Sequence, residues 1–111
     1  MNIKNIFSKL KKCRVNFDIT IDEMNDILRN NKEAILLDVR SPQEYFEGHL
    51  NNAINIPSYE LCSKVENLSK NKDTIILVYC LSGKRSEKAC KFLEKCGYKN
   101  VYNLKGGIEN N

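Results

Sequence analysis

Cys80, Lys84 and Arg85 fall within six residues of one another, in the stretch "CLSGKRS" that follows the apolar run "TIILVY". A thiol where a greasy run gives way to a glycine-containing turn has four uses: packing, attack on a phosphate ester, sulfur transfer, or metal ligation. A loop joining a buried strand to a helix turns successive backbone N–H groups toward one point, and the helix N-terminus adds a partial positive charge. Such surroundings favour the thiolate. A free cysteine titrates near 8.5, whereas cysteines at helix N-termini or beside cations titrate at about 3.5–7.5. Lys84 and Arg85 act in the same sense and offer donors to an anionic substrate. The loop of Leu81, Ser82, Gly83, Lys84, Arg85 and Ser86 can therefore activate Cys80 without a histidine base. The plain alternative for any single cysteine is a buried, inert core thiol.

Spacing narrows the chemistry. Cysteine phosphatases follow C-x5-R, a loop long enough to wrap a whole phosphate. Here four residues separate Cys80 from Arg85, and Ser86 occupies the C-x5-R position. A shorter loop suits a smaller group, a single sulfur atom. Gly83-Lys84 does not make a phosphate-binding P-loop, because the upstream glycine is missing and Arg85 replaces Ser/Thr. The five cysteines, Cys13, Cys62, Cys80, Cys90 and Cys96, include no CxxC, and His49 is the one histidine. That disfavours structural zinc, and the odd count disfavours a disulfide framework. Asp38 and Arg40 in "LLDVRS" end another apolar run; Arg40 with Glu44 or Glu47 would make a surface ion pair.

The elements that position these residues follow from periodicity. "IKNIFSKL" places Ile3, Ile6, Phe7 and Leu10 on one face of a helix. Arg14–Ile19 has extended character. Thr20 and Glu23 have capping-box spacing at the head of a helix whose apolar face is Met24, Ile27 and Leu28. "AILLDVR" reads as a strand buried on both faces. Ser41-Pro42 opens a short helix that Gly48 ends. "AINIP" is another strand, and Ser58–Leu68 is helical, with Leu61, Cys62, Val65 and Leu68 on one side. "TIILVYC" is the most apolar strand and belongs at the centre of the sheet. Arg85–Cys96 follows as a helix with Ala89, Phe92, Leu93 and Cys96 inward, and Gly97 takes the C′ position. Cys90 lies about three turns from Cys80 along the chain and is a poor resolving thiol. "VYNL" is a last strand, and Gly106-Gly107 reads as the entry to another helix. Alternating strands and helices give an α/β architecture with a mainly parallel sheet, whose ligands bind beyond the strand carboxyl ends.

The chain has 111 residues, 41% hydrophobic and 29% charged, which suits one domain. Residues 1–14 hold five of the 18 basic side chains and none of the 14 acidic ones, so the body carries −1 of the net +4. Basicity confined to an arm disfavours a broad nucleic-acid surface. No run approaches the roughly 20 apolar residues of a membrane span, and the lysine-broken N-terminus is a poor secretory signal. The expected setting is cytoplasmic, with no membrane and no nucleic-acid partner.

"LLDVRSPQEYFEGHLNNAINIP", "VYCLSGKRS" and "VYNLKGG", in this order across residues 18–108, together resemble a single-domain rhodanese. The resemblance implies the rhodanese fold: a five-stranded, mainly parallel sheet with helices on both faces. Residues 15–111 would form that domain and residues 1–14 an extra amphipathic helix. No full C-terminal helix follows "GGI", and the N-terminal helix is expected to cover the apolar surface this leaves open. The resemblance further implies sulfurtransferase chemistry through a Cys80 persulfide, with residues 81–86 cradling the outer sulfur. Thiosulfate or a related small molecule would be the donor, and cyanide or a thiol the acceptor. The alternative is a sulfur carrier that serves a protein acceptor and turns over poorly alone. Asp38 and Arg40 would help to hold the loop, and His49 would serve a structural turn. No cofactor and no metal enters this chemistry. Leu81 departs from the polar or basic residue that many relatives place after the cysteine, and it fits thiosulfate least well.

Overall fold

The computed structural model describes residues 16–111, so the expected N-terminal helix and Cys13 lie outside the described residues. Five strands form one sheet: β1 (Asp18–Ile19), β2 (Ile35–Asp38), β3 (Ile54–Asn55), β4 (Ile75–Tyr79) and β5 (Asn100–Leu104). Their order is β1-β5-β4-β2-β3, and every pairing is parallel. The apolar strand "IILVY" is central, as its composition requires. Helices α1 (Ile21–Asn30), α2 (Pro42–Glu47), α3 (Leu61–Lys64) and α4 (Lys84–Lys95) make the connections.

Alternation along the strands divides the core in two. Leu37, Ile76, Val78, Cys80 and Val101 pack with Leu61, Val65, Ala89, Cys90 and Leu93, from α3, α4 and the turn between them. Leu36, Leu77, Tyr79 and Leu104 face the other way, onto Met24, Ile27 and Leu28 of α1 and Tyr45 of α2. The sheet is thus covered on both faces, which lets its strands run as continuous apolar segments.

The helix starts follow their signals. Thr20 and Glu23 form the expected reciprocal capping box. Ser41 and Glu44 form a second one, with Pro42 in the first turn. Gly97, at φ +100°, closes α4 by donating to Glu94 O. Three expectations need correction. Ser58–Leu68 is not one helix: single 3-10 turns at Ser58–Glu60 and Val65–Asn67 flank the four-residue α3, and Cys62 is exposed. On α4 the expected Ala89 and Leu93 are buried and Phe92 and Cys96 pack half-buried against the core, but Ser86 and Cys90 are buried too, because the packed face is centred nearer Cys90. The segment after Gly107 makes one 3-10 turn, Ile108–Asn110.

Candidate active site

Cys80 follows directly on β4 and faces α4, at the carboxyl edge of the central strand. The next three residues turn the chain, and Gly83 stands at φ +97° as the N-cap of α4. A side chain there would be strained, and its Cβ would come within 3.3 Å of Gly106 N. The turn wraps the thiol. Cys80 Sγ accepts hydrogen bonds from Gly83 N at 3.1 Å, Ser86 N at 3.4 Å and Ser86 Oγ at 3.3 Å. Burial pushes the thiol up, but the Ser86 hydroxyl and the backbone N–H groups of Ser86, Gly83 and Ser82 together outweigh it. The result is a thiol below its ordinary value. Donors aimed at sulfur favour its charged form, as the loop architecture anticipates.

Among the other loop residues, Ser86 is fully buried against the thiol, while Leu81, Ser82 and Lys84 are exposed. Arg85 does not stand free. Its Nη1 and Nη2 donate to Glu44 Oε1 and Oε2 at 2.8 and 3.0 Å, a bidentate pair between α4 and α2. The Arg85 guanidinium holds the Glu44 carboxyl down at about 2. Glu44 also caps its own helix through Ser41 N. Sequence reasoning missed this contact. The capping-box spacing from Ser41 was the available signal, and it marks the position of Glu44 without revealing its partner on α4.

Asp38 and Arg40 are a buried ion pair, and the expected pairing of Arg40 with Glu44 or Glu47 is not formed. Arg40 Nε and Nη2 donate to Asp38 Oδ2 at 3.1 and 2.8 Å, and Nη2 also donates to Gly48 O at 2.6 Å. Burial works against the Arg40 cation, and Asp38 with Tyr79 more than offsets it. Tyr79, the residue before Cys80, completes the cluster: its ring lies 5.7 Å from the Arg40 guanidinium carbon, and its hydroxyl accepts from Leu50 N. The pair therefore anchors α2 and the 48–50 turn rather than touching the sulfur. His49 stacks on Tyr45 with ring centroids 3.7 Å apart, and its Nδ1 meets Tyr45 O, the local turn role expected of it.

Residues after β5 back the loop from outside, which the sequence did not reveal. Ile108 N donates to Cys80 O at 3.0 Å, and Glu109 N to Leu81 O at 2.9 Å. Gly107, at φ +64°, fits because it has no side chain: a Cβ would sit 2.2 Å from Leu81 O. The arrangement surrounds the Cys80 sulfur with three hydrogen-bond donors, from Gly83 N, Ser86 N and Ser86 Oγ.

Comparison with known proteins agrees with this geometry. Residues 20–110 match the family model described as a rhodanese-like domain. A sulfurtransferase of Allochromatium vinosum is 33% identical over 91 residues, covering 82% of this chain and 83% of that protein. A tRNA uridine(34) hydroxylase of Photorhabdus laumondii is 40% identical over 91 residues, covering 78% of this chain; the chain spans 26% of the hydroxylase. Among solved structures, a rhodanese-like domain protein of Staphylococcus aureus superposes with a TM-score of 0.73 at 32% identity, covering 82% of this chain and 86% of that one.

Proposed function

Since this chain belongs to the rhodanese-like domain family, we propose that it moves sulfane sulfur from a small donor to a thiophilic acceptor through a persulfide on Cys80. The observation that carries the reading is the ring of donors from Gly83 and Ser86 on Cys80 Sγ. That ring favours the thiolate and is placed to hold a second sulfur anion after transfer. In the first step the Cys80 thiolate attacks the outer sulfur of thiosulfate. An S–S bond forms to Cys80 as the donor's S–S bond breaks, and sulfite leaves with the electron pair. In the second step cyanide, or a thiolate, attacks the outer persulfide sulfur. Thiocyanate, or the acceptor's persulfide, departs and the Cys80 thiolate returns. This is covalent catalysis in two displacements, with charge balanced in each and no proton required.

Lys84, exposed at the start of α4, would supply a cation for an anionic donor. Arg85, tied to Glu44, shapes the loop wall. One observation favours a second reading, a sulfur carrier serving a protein acceptor: the residue next to Cys80, Leu81, is an exposed apolar side chain. The reaction of the hydroxylase relatives, of which this chain spans about a quarter, is not assigned to it.

Steady-state formation of thiocyanate from thiosulfate and cyanide separates the readings. Turnover that disappears in Cys80→Ser supports the enzyme. Sulfur loading on Cys80 without cyanide turnover, relieved by a protein thiol, supports the carrier. Equal activity in Cys80→Ser and the native chain would exclude both.

A further inference from the structure

The donors on Cys80 Sγ point inward because the loop's carbonyls are held outward. Cys80 O and Leu81 O are bound by Ile108 N and Glu109 N, and Gly83 O accepts from Glu87 N at 3.0 Å. Gly83 O has a second donor, the Asn103 side chain on β5, whose Nδ2 lies 3.3 Å away. The same Nδ2 donates to Asp18 Oδ1 on the edge strand β1 at 2.8 Å. Asn103 is 2% exposed, and its Oδ1 is buried with no hydrogen-bond partner among the described residues. A buried amide oxygen without a partner is unfavourable. What this side chain contributes is therefore its pair of N–H donors, one anchored on Asp18 and the other aimed at the loop.

We propose that Asn103 is a positioning residue for the sulfur site: by holding Gly83 O it keeps Gly83 in the left-handed conformation from which its N–H reaches Cys80 Sγ. Asp18 orients Asn103, so a chain of contacts runs from the sheet edge through Asn103 and Gly83 to the sulfur. The inference rests on reading Cys80 as the sulfur-bearing thiolate, and it names a residue outside the loop that tunes it.

The test is the pH profile of Cys80 alkylation by iodoacetamide, followed by mass spectrometry of the Cys80 peptide. The midpoint reports ionisation and the plateau reports access. Asn103→Leu keeps the branched shape at Cγ and removes both donors. The midpoint should rise by about half to one unit, so that the rate well below it falls roughly three- to tenfold, with the plateau unchanged. Asp18→Ala, at an exposed position, should move the midpoint the same way by less. Leu36→Ala, in the core on the other face of the sheet, should lower the melting temperature and leave the midpoint in place. An unmoved midpoint in Asn103→Leu, or an equal shift in Leu36→Ala, overturns the proposal. If Asn103→Leu does not fold, Asp18→Ala decides: a raised midpoint supports the proposal and an unmoved one overturns it. Alkylation is read on the reduced, sulfur-free Cys80 thiol and needs no sulfur donor. A native chain that takes no sulfur from any donor thus refutes the transfer reading while leaving the Asn103 comparison intact.

Discussion

At Cys80 two opposed effects meet, since burial disfavours the thiolate and hydrogen bonds to sulfur favour it, and the bonds prevail. The Ser86 hydroxyl contributes most among those bonds, so Ser86→Ala is expected to raise the Cys80 alkylation midpoint by about one unit. A hydrogen bond to a charged group is worth about 1.5–3 kcal/mol, and one unit corresponds to about 1.4 kcal/mol. Glu44 gives a second residue-level expectation. Its carboxyl titrates at about 2 when folded, against 4.5 as the ordinary value. The folded chain therefore binds fewer protons there than the unfolded one, and the pair's stabilisation, full above 4.5, drains away as pH falls toward 2. Both side chains of the pair are 30–41% exposed, so the amount is about 1 kcal/mol or less. Acid titration of stability in the native chain and in Glu44→Gln should show this component in the first and not in the second. The identity of Cys80, its loop and the order of its neighbours were legible in the sequence because the strand, cysteine, glycine and cations are contiguous. The Arg85–Glu44 pair was not, because its members are 41 positions apart.

Elements fix what the residues can do. β4 delivers Cys80 to the sheet edge, α4 begins at Lys84 with its packed face centred nearer Cys90 than the sequence indicated, and the turn after β5 locks the loop from behind. The turn's weak point is Gly107. Gly107→Ala places a methyl against backbone atoms of Cys80 and Leu81 at a positive φ, where neither neighbour has a flexible end to move. A loss of about 1–3 kcal/mol in chemical denaturation is expected, together with slower sulfur loading. A buried pair ties β2 to α2: Arg40→Met would strand the Asp38 carboxylate in the core and remove the donor to Gly48 O. Breaking such a pair costs about 3–5 kcal/mol, which urea melts would register. A capping box made α1 readable and an N-cap serine followed by proline made α2 readable, since Thr20–Glu23 and Ser41-Pro42 are local signals. The 106–111 segment opens only a single 3-10 turn where the sequence suggests a helix entry, because a double glycine admits many conformations. Its actual form is selected by contact with Cys80 and Leu81, residues distant in sequence.

The described residues form a five-stranded parallel sheet covered on both faces, with long-range contacts that converge at its carboxyl edge. β4 brings the thiol, α2 brings Glu44 to Arg85, and β5 with the following turn brings Asn103, Ile108 and Glu109. Fold class and sheet centre could be read from alternating periods and from the apolarity of "IILVY". The convergence could not, because it depends on strand order, which brings β5 beside β4 and β1 beside β5. Among the described residues no helix is long and apolar enough to cross a membrane. The proposed role of this assembly is to load sulfane sulfur onto Cys80, and intact-mass and peptide mass spectrometry after thiosulfate treatment test it most directly. The expected result is the gain of one sulfur atom on Cys80, removed by cyanide and absent in Cys80→Ser. No added sulfur on Cys80 with thiosulfate or any other sulfane donor would contradict the account.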